Sequence, residues 1–118
     1  MKALRFDRIG SLDYLKILDV RNPEPVQGSV LVRVKAAALN PSDAKNVLGR
    51  MEETTVPRTP GRDFAGVVVV GTEAYLEGTE IFGTGGNLGF SRDGSHAEFI
   101  EVPVEARLEL GAVVHSEQ

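Results

Sequence analysis

Glycine and proline cut this chain into runs too short for long helices. Of 118 residues, 13 are glycine and 6 are proline. The runs between them alternate in polarity or are rich in β-branched residues, the pattern of short strands joined by turns. Lys2 to Asp7 and Tyr14 to Val20 read as strands. Arg21-Asn22-Pro23-Glu24-Pro25 cannot extend the second, because proline offers no ladder donor. Ser29 to Leu39 reads as a long half-exposed strand, with Val30, Val32 and Val34 on one face and Leu31, Arg33 and Lys35 on the other. Asp63 to Val70 reads as a buried strand, Thr79 to Phe82 as a short one, Ser95 to Val102 as an alternating one, and Arg107 to Val114 as a last one before a tail.

One segment breaks this pattern. Asn40-Pro41-Ser42-Asp43 combines an N-cap residue, a proline suited to the first helical position and an acid in the first turn. A helix of about two turns is expected through Leu48, stopped by Gly49. Many strands around one short helix imply a mainly β barrel or sandwich. A doubly wound sheet needs alternating helices, and the sequence does not supply them. The length suits one domain over residues 1–118, with 107–118 the least defined part.

Composition narrows the function. The net charge is −4, and lysine and arginine are scattered, so a nucleic-acid partner is not expected. The longest apolar run lies between Gly66 and Gly71, far short of the roughly 20 residues of a membrane span. The N-terminal segment carries an acid early and lacks the apolar core of a signal peptide, so a cytoplasmic location is expected. Cysteine is absent, which removes disulfides, thiolate chemistry and cysteine-ligated zinc.

The stretch Gly83-Thr84-Gly85-Gly86-Asn87-Leu88-Gly89 is glycine-rich but places Leu88 where a dinucleotide fingerprint needs its last glycine. No helix pattern follows to receive a pyrophosphate. It reads as a flexible loop between strands, with a substrate-facing role left open. Gly61-Arg62-Asp63 enters a buried strand, and the plain reading has Asp63 bonding to nearby backbone. His96 has no histidine or carboxylate beside it at ligand spacing and reads as a surface or satisfied histidine, while His115 falls in the tail. No catalytic residue and no metal ligand stands out.

Four blocks nevertheless resemble, in order, those of the medium-chain dehydrogenase/reductase superfamily, in its zinc-free quinone oxidoreductase branch. They are Ala36-Ala37-Ala38-Leu39-Asn40-Pro41-Ser42-Asp43, Pro60-Gly61-Arg62-Asp63-Phe64-Ala65-Gly66-Val67-Val68, Gly78-Thr79-Glu80-Ile81-Phe82-Gly83 and Gly94-Ser95-His96-Ala97-Glu98-Phe99. The resemblance implies a GroES-like, partly open β-barrel with one or two short helices. It implies the substrate domain of an oxidoreductase that passes a hydride from NADPH to a quinone or an activated carbonyl or alkene.

In that superfamily the cofactor lies between this barrel and a following Rossmann domain, which this sequence does not contain. Activity and NADPH binding are therefore not expected of the chain alone, and a homodimer or a Rossmann domain is the expected protein partner. Zinc-dependent members place a cysteine near Asn40 and a histidine at Arg62, so no zinc is expected. Asn40 is placed by resemblance near nicotinamide and substrate. Asn40, Asp43 and Asp63 are the candidates for the substrate cleft. The alternative is a non-catalytic binding or assembly module, because a fold does not fix a function.

Overall fold

The computed structural model describes residues 1–84 and 87–104 and the backbone of 107–110. In chain order the strands are β1 (Lys2–Arg5), β2 (Lys16–Asp19), β3 (Ser29–Ala36), β4 (Asp63–Val70), β5 (Glu80–Thr84), β6 (Phe99–Pro103) and β7 (Arg107–Leu110). A single α-helix, α1 (Pro41–Val47), follows β3, and a 3-10 turn spans Leu12–Tyr14. The strands make a two-stranded sheet, β1-β2, and a five-stranded antiparallel sheet in the order β6-β3-β4-β5-β7. The result is mainly β and does not close into a barrel.

The alternation in β3 positions the core. Val30 and Val32 are fully buried, whereas Arg33 and Lys35 are exposed. They pack with Phe64 and Val68 of β4, Ile81 of β5, and Ile100 and Val102 of β6. Each buried aliphatic side chain of this kind stabilises the fold by roughly 1.5–3 kcal/mol. Val34 pairs with Gly66 across the β3–β4 ladder, next to a register shift. A Cβ at Gly66 would run into the carbonyl oxygen of Arg33 and lie 2.8 Å from Val32 Cγ1. That glycine lets the two central strands approach where β3 bends.

Several expected boundaries move. β3 ends at Ala36 and not Leu39, because the backbone turns to give the Ala38 N–H to Asp63 Oδ1 at 3.1 Å. β1 and β2 are shorter than their alternating runs, and Phe6 instead bridges to Arg58. The strand expected from Ser95 begins only at Phe99. Ser95 to Glu98 folds against the Pro60–Gly61 turn, with Gly94 N–H bonded to Thr59 O and His96 N–H to Pro60 O.

The glycine-rich stretch is also different from expectation. β5 continues through Thr84, and beyond it Leu88 and Phe90 are buried and Arg92 pairs with Glu101 at 2.7 Å. The described part of this loop is packed, because its apolar side chains close one end of the core. The tail, with His115, lies outside the described residues. No helix among the described residues is long and apolar enough to cross a membrane.

Candidate functional site

The bend after β3 brings three distant acids and amides together. Asp63 opens β4 and accepts twice, from the Ala38 N–H on Oδ1 and from the Asn40 side-chain amide on Oδ2, both at 3.1 Å. Its partners are therefore 25 and 23 residues away, and the expectation of a local backbone bond is corrected. Asn40 is the N-cap of α1, as its sequence context indicates. Its amide is nonetheless committed to Asp63, which holds the carboxamide in place from across the bend.

Asp43 sits one turn into the helix and is buried. Its Oδ2 accepts the Asn40 backbone N–H at 2.9 Å, closing the helix start. The same oxygen lies 3.5 Å from His96 Nε2. Burial alone would raise the Asp43 pKa. The His96 hydrogen bond, the Asn40 backbone N–H, the charge of His96 and the Gly61 backbone outweigh it and hold the carboxyl below its ordinary value.

His96 thus has a carboxylate partner after all, 53 residues away. Sequence spacing could not find this pair. Its signal lies in Gly61, whose φ of +114° lets the turn pass under Ser95 and His96. A Cβ there would sit 2.7 Å from Ser95 N and 2.8 Å from His96 N. A second buried polar group also escaped the sequence. Asn46 donates to Gly89 O at 2.6 Å and accepts from Thr54 Oγ1, tying α1 to the packed loop.

Two cavities meet at this network. A groove of about 460 Å³ is lined by Ala36, Ala37, Ala38, Asp63, Phe64 and Phe82, among others. A smaller cavity of about 300 Å³ is lined by Asn40, Asp43, His96 and apolar side chains such as Leu4 and Leu39. The Asn40–Asp63 hydrogen bond therefore joins a residue lining the smaller cavity to one lining the groove. The lining of the groove is mostly apolar.

The donors here do not suit zinc. Arg62, where the resemblance would place a histidine of zinc-dependent members, has its guanidinium 4.1 Å above the Phe90 ring. Asn40 presents a carboxamide and not a thiolate. No group of three or more histidine, aspartate or glutamate side chains that could hold a metal occurs among the described residues.

The profile of the alcohol dehydrogenase GroES-like domain matches residues 26–111. The chain belongs to this family. It is 43% identical to a zinc-type alcohol dehydrogenase-like protein of Schizosaccharomyces pombe, over 93% of this chain and 34% of the relative. It is 42% identical to a chloroplastic NADPH-dependent alkenal/one oxidoreductase of Arabidopsis thaliana, over 70% of this chain and 23% of that protein. A solved quinone oxidoreductase of Coxiella burnetii superposes with a TM-score of 0.79 at 28% identity, over 93% of this chain and 36% of its own. This GroES-like chain is thus a member of the medium-chain dehydrogenase/reductase superfamily, and it spans about a third of the length of the first and third of these relatives. The matched span contains Asn40, Asp43, Asp63 and His96.

Proposed function

We propose that this chain forms the substrate side of a zinc-independent oxidoreductase that reduces a quinone or an activated carbonyl or alkene with NADPH. The observation that carries this reading is the Asn40 carboxamide, held by Asp63, a residue that lines a mostly apolar groove. NADPH, when bound, would supply the hydride. The remaining amide hydrogen of Asn40 would donate to a substrate carbonyl oxygen and so orient it. Asp63 holds that amide, and Asp43 holds the backbone beneath it. The alanine and phenylalanine walls exclude water from the reacting ring.

The residues fit the nicotinamide end of the cofactor and not its phosphates, because the one charged side chain lining the groove is Asp63 and no cation lines it. The names of the relatives support the substrate class, since they include alkenal/one and quinone oxidoreductases. The donor set supports zinc independence. The test is steady-state NADPH oxidation by the full-length gene product with a quinone and with an enone, before and after dialysis against a chelator. Activity should survive dialysis, and Asn40→Ala should lower kcat/KM by about tenfold or more. Loss of activity on dialysis with recovery on zinc, or an Asn40→Ala enzyme that is folded and fully active, would overturn the reading.

A further inference from the structure

A further cavity lies away from the Asn40 site. It has a volume of about 510 Å³ and is lined by Arg5, Arg21, Arg58 and Arg92. The residues of the Asn40 network are not among its lining. The segment Ser95–Ala97 divides the two regions, with His96 lining the site cavity and Ala97 lining this one.

Its charge runs against that of the chain. Four arginines face two carboxylates, Asp93 and Glu101, in a protein of net charge −4. The pairing is incomplete. Arg5 and Arg58 both reach the same oxygen of Asp93, each at 3.1 Å. That oxygen also accepts the Thr59 N–H at 3.0 Å. One carboxylate therefore answers two guanidinium groups. Arg92 gives only Nη1 to Glu101. Arg21 is exposed and takes part in no hydrogen bond or ion pair among the described residues. The floor is apolar, formed in part by Val20, Phe99 and Ile100.

We propose that this cavity binds a small organic anion, a phosphate or carboxylate carried on an apolar body. Guanidinium groups bind such oxygens by paired, charge-assisted hydrogen bonds. Arg5 and Arg58 are pre-positioned by Asp93, and Arg21 brings the uncompensated charge. The apolar floor takes the body of the ligand. This site is separate from the proposed reduction and does not depend on it.

The test is calorimetric titration of the chain with phenyl phosphate, benzoate and phenol, with amide chemical-shift mapping. Phenyl phosphate or benzoate should bind saturably and displace resonances of the arginine cavity, and phenol should not. Whichever of the two binds more tightly identifies phosphate or carboxylate as the preferred head group. Arg21→Glu should weaken binding by about tenfold or more, and added salt should weaken it further. Arg21→Gln, which removes the charge without reversing it, should lie between. No saturable binding of either anion up to about 10 mM, a value at the weak end of specific recognition, would overturn the proposal. So would unchanged binding by both Arg21 variants, or shifts confined to the Asn40 groove.

Discussion

Asp43 joins groups that the sequence keeps far apart: the start of α1 and the His96 segment that packs against Gly61. Its lowered pKa has a consequence for acid stability. A carboxylate whose folded pKa lies below its unfolded value of about 3.9 adds stability that is complete above that value. The contribution is lost as pH falls through the folded pKa. Asp43→Asn keeps an oxygen that can accept the Asn40 N–H but removes the charge. Urea denaturation from pH 7 down to about pH 2 should show wild type losing more stability than Asp43→Asn below about pH 4. At pH 7 the variant should be weaker by about 1–2 kcal/mol, because the half-buried His96 side chain loses its carboxylate partner. Parallel pH profiles for the two proteins would remove Asp43 from this role. The helix start around Asn40 was legible because capping is local, written within four residues. The Asp63 and His96 partnerships were not, because they depend on a bend and a turn that bring together residues 23 to 53 positions apart.

Elements were easiest to read where burial and alternation agree. β4 ran as its valines indicate, and α1 began where Asn40-Pro41 places it. Strand ends were misread where a side chain captures the backbone, as Asp63 does at Ala38, or where a turn packs against a neighbour, as at Ser95. The role of Gly66 was hidden because the close approach it permits is between strands. Gly66→Ala places a methyl against the Arg33 carbonyl, and a backbone carbonyl cannot rotate away. The cost should be about 3 kcal/mol. Gly78→Ala offers the comparison. That glycine has φ of +87° and no atom within 4 Å of an added Cβ. It should cost only about 1–2 kcal/mol of backbone strain. Chemical denaturation of both variants measures the difference, and equal losses would mean that the approach of β3 to β4 is not the constraint.

At the scale of the whole molecule, the two cavities divide the chemistry of a nicotinamide dinucleotide between them. The groove beside Asn40 is mostly apolar, and its one charged lining residue, Asp63, repels a pyrophosphate. The arginine cavity attracts phosphate but lies beyond the Ser95–Ala97 segment. The N-terminus of α1, which might otherwise receive a phosphate, already holds the Asp43 carboxylate. NADPH should therefore bind this 118-residue chain no more tightly than roughly 1 mM, an affinity typical of a single weak contact. Any binding should come from its phosphates at the arginine cavity. Titration followed by the fluorescence of the reduced nicotinamide separates the cases. A ring that stays in water keeps its emission, and Arg21→Glu should abolish whatever calorimetric signal remains. Micromolar binding with an enhanced, blue-shifted nicotinamide emission would show that the Asn40 groove holds the cofactor unaided, and the assignment of its edge as hostile to phosphate would fail.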